Sequence, residues 1–334
     1  MLSLSALTLA LIAVLAFVMD RALGEPKKFH PLVGLGRWIK LVEGVLWQPF
    51  CEVSDSVPRA SKATSTKKLV LLSGFVAWTV VLLPLVFFLS VLTYSLPEPL
   101  ALLATLVIVY FSIAPRSLAE HALAVYRPLA HEAGRAPTHS PEDLAEARQA
   151  CGRIVSRDTD GLSRSELATA TVETVVENAN DAVIAPLFWF FVAGLPGIIV
   201  FRVANTLDAM WGYRSSRYRW FGRFAARADD VLGYIPARLT VALFTLIDPR
   251  AYAVARRDGP GWYSPNAGPV MAAGAGALDL NLGGPARYDG RMKSRPVLGS
   301  GRTPDVQDIP RALSLVKRAY LLLLGMMLIL GLLL

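Results

Sequence analysis

Charge is scarce in this chain. Asp, Glu, Lys and Arg make up only 18% of its 334 residues, against about 25% in soluble domains, and the deficit is concentrated in long runs with no charge at all. Together with an apolar fraction of 54%, that excludes an ordinary water-soluble globule. Cysteine is nearly absent: Cys51 and Cys151 form no CxxC or zinc-ligand spacing and read as plain thiols. The histidines, His30, His121, His131 and His139, are too scattered for a metal cluster. There is no GxxxxGK[ST] loop and no dinucleotide fingerprint opening a helix after a strand, so any nucleotide is held without those devices. Internal repeats and low-complexity tracts are also missing.

The long apolar runs remain. A spanning helix needs ~20 apolar residues to cross ~30 Å of hydrocarbon, and spans are expected at about 2–19, 69–95, 100–114 and 319–334. The first lacks a basic n-region and runs into Asp20-Arg21 without a small-residue cleavage site, so it reads as a retained span rather than a signal peptide. The second and third form a hairpin about the turn Leu96-Pro97-Glu98-Pro99. Residues 182–201 are uncharged but interrupted by Pro186, Gly194, Pro196 and Gly197, which predicts a broken or re-entrant element. Leu239–Ile247 is too short to span alone. The expectation is an all-α, polytopic helical integral membrane protein forming one domain over 1–334. Its polar segments 20–68, 115–181 and 202–315 would carry the chemistry. Within them, 116–181 reads as helical, with Ser140-Pro141-Glu142-Asp143 as a helix start; 256–308, rich in Gly and Pro, reads as mostly loop.

Net charge is +8, and the pI is near 9.6. Such a balance fits nucleic acid, anionic headgroups or an anionic substrate; in so apolar a chain, headgroup contact and positive-inside loops take precedence, and no nucleic-acid partner is expected. Lys27, Lys28, Lys62, Lys67 and Lys68 precede the hairpin and Arg116 follows it, whereas its tip carries no basic residue. That puts 20–68 and the chain from 115 onward in the cytoplasm. A re-entrant 182–201 then keeps Arg214, Arg217, Arg219, Arg223 and Arg227 on the same side.

Four polar clusters interrupt the apolar background. In the first, Arg157-Asp158-Thr159 precedes Glu166, Glu173, Glu177, Asn178 and Asp181. At 100° per residue Glu166, Glu173 and Glu177 share a face about 40° wide, with Asp181 at its edge. Asp158 or Thr159 would cap this helix near Leu162. A solvated acidic face is the plain alternative, but Leu167, Ala170, Val172, Val175 and Val176 cover the other faces and suit burial. Like charges at i, i+4 cost stability unless a cation lies between them, so magnesium binding or proton transfer is the sharper reading. In the second, Asn205 and Asp208 stand at i, i+3, followed by Arg214, Arg217, Arg227, Asp229, Asp230 and Arg238 interleaved with aromatics. An interfacial belt explains the aromatics and some arginines, but not acids at membrane depth; the arginine forks suit phosphate or carboxylate. The third, Ser264-Pro265-Asn266-Ala267-Gly268 with Gly283-Gly284, is either an anion-binding loop or a set of turns. The fourth is Asp20-Arg21, Gly24-Glu25-Pro26 and His30-Pro31, where His30 alone reads as an interfacial histidine.

Further blocks accompany these: Ala185-Pro186-Leu187-Phe188, Asn205-Thr206-Leu207-Asp208-Ala209-Met210, Gly212-Tyr213, Ala226-Arg227-Ala228-Asp229-Asp230, Ile235-Pro236-Ala237-Arg238-Leu239 and Leu282-Gly283-Gly284. In content and order, over nearly the whole chain, they resemble the adenosylcobinamide-phosphate synthase family, the CobD/CbiB type. Ser156, Ala209 and Gly233 depart from its pattern; the last removes a polar group beside Asp229-Asp230. The resemblance implies cobalamin biosynthesis in the bacterial cytoplasmic (inner) membrane, with the site facing the cytoplasm. It implies an ATP- and magnesium-dependent ligation of aminopropanol or its phosphate to a propionate of the corrinoid substrate adenosylcobyric acid. On that scheme Glu173, Glu177, Asp181 and Asp158 are catalytic. Arg157, Asn178, Arg214, Arg217, Arg227, Arg238, Asn266 and His30 bind substrate, and Glu166, Glu173, Glu177, Asn205, Asp208 and Asp229 hold metal. The lipid bilayer and other cobalamin-assembly enzymes are the expected partners. An AmpE-like membrane sensor and a transporter are the competing readings; the first is weaker in the carboxylate and Asn-Thr-Leu-Asp blocks, and the second commonly shows repeated halves.

Overall fold

The structure is a computed structural model that describes residues 4–26, 30–55, 63–130, 141–213, 215 and 217–334. Helices dominate. In chain order they are α1 (Ala6–Leu23), α2 (Pro31–Asp55), α3 (Ala63–Ser95), α4 (Glu98–Ser112), α5 (Pro115–Ala130), α6 (Pro141–Gly152) and α7 (Arg164–Ala179). A π-helical turn at Asn180–Ile184 leads into α8 (Ala185–Trp211), then α9 (Tyr218–Phe221), α10 (Arg223–Ile247), α11 (Arg250–Asp258) and α12 (Ala267–Leu278). Four short strands, β1 (Leu282–Gly283), β2 (Ala286–Tyr288), β3 (Arg291–Lys293) and β4 (Val297–Leu298), precede α13 (Asp308–Leu333). β1 pairs antiparallel with β4, and β2 with β3 in a hairpin.

Among the described residues, six helical stretches are long and apolar enough to cross a membrane: 6–23, 67–95, 98–130, 164–211, 223–247 and 308–333. The protein is a polytopic helical membrane protein. Four spans were expected from uncharged runs alone; of the other two, 223–247 arises because helix continues through charged residues, and 164–211 contains the uncharged but Pro- and Gly-interrupted run 182–201. Asp229, Asp230 and Arg238 break the uncharged run around 239–247, yet α10 extends back to Arg223. The apolar stretch 182–201 lies in one helical stretch, 164–211, rather than in a separate element. That stretch is interrupted at the π-helical turn and at Gly194, whose φ of 61° and ψ of −150° are outside the helical region. The segment expected to be mostly loop after 256 contains α12, built from small residues.

Contacts divide the chain into two compact units. The first comprises 1–113, 186–233 and Leu334; the second comprises 114–185 and 234–333. In the first, α1 packs on α4, α2 on α3, and α3 on α9. Close approach there depends on glycine: a Cβ on Gly222 would collide with the Trp211 carbonyl oxygen. Trp211 and Phe221 are fully buried with ring centroids 4.9 Å apart, edge to face.

The second unit is organised around α7, which touches α5, α6, α12 and α13. Leu167, Ala170, Val172, Val175 and Val176 are all fully buried, as their spacing implied. Truncating such a residue, as in Leu167→Ala, would cost about 2–5 kcal/mol. A Cβ on Gly274 of α12 would strike the Val176 side chain, so glycine lets the two backbones approach. The N-cap of α7 is Ser163, not Asp158 or Thr159. Ser163 accepts from the Glu166 N–H and the Glu166 carboxylate accepts from Ser163 N–H at 2.8 Å, a complete capping box.

Candidate functional site

The densest polar cluster of the second unit is centred on Glu173, midway along α7 and 2% exposed. A carboxylate this deep requires donors for both oxygens. Oε1 accepts from Gly283 N–H at 2.7 Å and Arg295 Nη2 at 3.2 Å; Oε2 accepts from Arg295 Nη1 at 3.1 Å and from Arg157. Gly283, at φ 78°, approaches so closely that a Cβ would meet the Pro296 carbonyl. Arg295 in turn donates through Nε to Gly284 O at 2.8 Å and through Nη2 to Gly283 O at 3.2 Å, and its guanidinium lies 5.3 Å from the Trp262 ring centroid. Burial alone would push the Arg295 guanidinium down; the charge and hydrogen bonds of Glu173 outweigh it and hold its pKa up. Two arginines and one carboxylate thus tie α7, the stretch before it and the 282–298 segment together.

One turn on, Glu177 is half-buried and stands on the face that carries Glu173, with Asp181 at the start of the π-helical turn. Glu177 feels Asp181 and Glu173 electrostatically, with Arg157 and Arg295 as the nearby cations. Asp181 Oδ1 accepts from Asn180 Nδ2 at 2.8 Å, and buried Asn180 Oδ1 accepts from Thr240 at 3.0 Å. Single π-helical turns inside α-helices recur at functional sites. This one offsets the helix where the carboxylate ladder ends.

The other residues singled out from the sequence are distributed as follows. Glu166 is engaged in the capping box. Asp158 closes the β2–β3 turn, accepting from Asp289 N–H at 3.2 Å and Gly290 N–H at 2.8 Å. Asn178 donates to Thr174 O at 2.9 Å. Arg238 donates to Asn266 Oδ1 at 3.1 Å, with its guanidinium 3.6 Å from the Tyr234 ring centroid. These all belong to the second unit. In the first, Asn205 donates to Asp229 at 3.2 Å, Asp208 lies one turn below Gly212, and Arg227 is exposed. His30 accepts from Leu32 N–H at 3.2 Å and meets Phe111 edge to face at 5.4 Å. Arg217 donates to Glu43 at 2.6 Å. Arg214 lies outside the described residues, as do His131 and His139.

Of the six residues expected to hold metal, Glu166, Glu173 and Glu177 belong to the second unit, and Asn205, Asp208 and Asp229 to the first. Among the described residues, no three His, Cys, Asp or Glu side chains gather as a metal cage. Glu177 and Asp181 instead fit the mode magnesium commonly takes, one or two carboxylates plus the phosphates of a substrate. Sequence reasoning missed Arg295, whose only signal is a Ser-Arg-Pro in a stretch read as loop. It also missed Glu43, an acid set among apolar residues in an amphipathic helix.

The family model described as "CobD/Cbib protein" matches residues 13–316. A cobalamin biosynthesis protein CobD of Chromobacterium violaceum is 46% identical over 313 residues, covering 92% of each chain. Another, of Stutzerimonas stutzeri, is 44% identical over 303 residues, covering 90% of this chain and 91% of its own. A probable cobalamin biosynthesis protein CobD of Pyrococcus furiosus is 36% identical over 300 residues, covering 90% of each. No solved structure matches the chain. The matched region contains the carboxylate ladder and both arginine partners of Glu173, and by a match of this extent the chain belongs to the CobD/CbiB protein family.

Proposed function

We propose that this chain acts in cobalamin biosynthesis as a membrane-embedded ligase. It would join (R)-1-amino-2-propanol or its phosphate, through an amide, to a propionate of adenosylcobyric acid at the expense of ATP. The names of the relatives support the pathway. The observation that carries the chemistry is the ladder Glu173–Glu177–Asp181, whose first member is neutralised by two arginines while the next two are not so enclosed.

The reaction needs the propionate made electrophilic and the amine made neutral. Transfer of the γ-phosphoryl group from ATP to the propionate oxygen gives an acyl phosphate and ADP. Attack by the amine nitrogen on the acyl carbon then expels inorganic phosphate and leaves the amide, and the nitrogen gives up a proton. Glu177, one turn from the Arg157–Glu173–Arg295 cluster, is placed to take that proton, a role worth ~10²–10⁴-fold for a positioned base. Asp181, fixed by Asn180 and through it by Thr240, would hold the ammonium form of the incoming amine until that transfer. Magnesium, held by Glu177 or Asp181 together with ATP phosphates, would screen phosphate charge. Arg157 and Arg295 offset much of the ladder's negative charge, which eases the approach of anionic substrate groups. The bacterial inner membrane, with the site on the cytoplasmic side where ATP is available, is the matching location.

A strain lacking this chain should accumulate adenosylcobyric acid and recover when the chain is restored. Loss of cobalamin without that accumulation would overturn the assignment of this step.

A further inference from the structure

The first unit contains an open apolar cavity of about 600 Å³ that the proposed chemistry does not use. It is bounded by α2, α3, α4 and α8. Three of its walls belong to stretches long and apolar enough to cross a membrane, 67–95, 98–130 and 164–211. Two residues leave room in its lining. Pro84, in the middle of α3, cannot donate a backbone hydrogen bond. Gly34 on α2 leaves open space: a Cβ built there meets nothing within 4 Å. Leu35, Trp38, Leu85 and Phe88 present hydrocarbon and aromatic surface to the cavity. One charged residue, Arg202 of α8, lines it among the described residues.

We propose that this cavity is a binding site for one anionic phospholipid, with an acyl chain between α2 and α3 and its phosphate toward Arg202. Three observations support that occupant. The volume lies within the ~300–1,000 Å³ of ligand pockets, and a lining this apolar gives water almost no hydrogen-bonding partners. The cavity is open rather than sealed, and its walls on α3, α4 and α8 belong to stretches apolar enough to lie in hydrocarbon. Arg202 selects the head: a guanidinium fork forms paired charge-assisted bonds to phosphate. α2 has the character of a helix lying in the interface, with Trp38, Leu41 and Val45 exposed beside exposed Arg37 and Lys40. Those cations add attraction for an anionic headgroup at the membrane surface.

The full-length protein, purified in mild detergent and stripped of lipid, is titrated with phosphatidylglycerol or phosphatidylcholine and followed by native mass spectrometry. The wild type should retain a single phosphatidylglycerol in preference to phosphatidylcholine. Gly34→Leu places a side chain in open space and raises helix propensity, so it should fold normally while losing retention of both lipids roughly tenfold. Arg202→Gln should keep acyl occupancy and lose most of the headgroup preference, and Arg202→Lys should restore part of it. Equal lipid retention by the wild type and a folded Gly34→Leu variant would overturn the site. Equal binding of the two lipids by the wild type would overturn its charge selectivity. Retention of inorganic phosphate with no lipid would likewise contradict the proposal.

Discussion

Among the described residues each unit buries one glutamate, and the two are satisfied in different ways. In the first, Glu43 of α2 is 6% exposed and accepts from Trp211 Nε1 at 3.1 Å, Arg217 at 2.6 Å and the Tyr218 hydroxyl at 2.8 Å. These bonds fasten α2 to the end of α8 and the start of α9. Burial, then the hydrogen bond to Glu43, pushes the Tyr218 hydroxyl pKa up, so it stays a donor. In the second unit, Glu173 is satisfied just as fully, by two arginines and a backbone N–H. The difference lies one turn away. Glu43 has no second acid on its helix face, whereas Glu173 begins a ladder through Glu177 to Asp181. A buried acid with every lone pair engaged is a fastener; its less enclosed neighbours are the ones placed to exchange protons or bind cations. Glu173, which the sequence marks as catalytic, is on this view a positioning residue for Glu177.

The sharpest separation between the two roles comes from Glu177→Gln. It should lower ligation by about 10²–10⁴-fold while leaving the melting temperature in detergent unchanged. Normal activity in that variant would remove the ladder from the chemistry. Next in size, Glu173→Ala strands Arg157 and Arg295, whose ion pairs with Glu173 are almost fully buried. Breaking a buried pair from one side costs about 3–5 kcal/mol, read as a large loss of thermal stability. Replacing Glu173 and Arg295 together by Gln and Met should recover much of it. Glu43→Ala leaves buried Trp211 and the Tyr218 hydroxyl without their acceptor. It should cost about 1–3 kcal/mol, with kcat retained in the fraction that remains folded. The smallest effect belongs to Asp158→Asn, which weakens one of two bonds closing the β2–β3 turn, about 0.5–1.5 kcal/mol. A collapse of kcat at unchanged stability would instead make Asp158 a participant in the chemistry.

How far the sequence anticipates this follows from which signals are periodic. Leu167, Ala170, Val172, Val175 and Val176 mark α7 and its buried faces because their spacing follows the helical repeat. The ladder is legible for the same reason. Helix α12 is not, because its glycines and alanines look like loop in isolation and make sense only against Val176 and Val254, which they allow to come close. Arg295 is 122 residues from Glu173, and no local pattern announces a partner at that distance. Asp158 reads as a helix cap because a turn residue precedes a helix, yet the turn it closes lies more than 130 residues away. The span at 223–247 escapes a search for uncharged runs, since helix α10 continues past Asp229, Asp230 and Arg238. Residues 13–316 match the family, as the ordered motif blocks imply, while the ligation itself remains the point to test.

That test is direct. Purified, detergent-solubilised protein is supplied with adenosylcobyric acid, ATP and magnesium, and with aminopropanol or its phosphate in parallel. The wild type should form corrinoid amide and ADP with one of the two amines, and Glu177→Gln, folded to the same melting temperature, should not. Folded wild-type protein that forms no product with either amine would contradict the account.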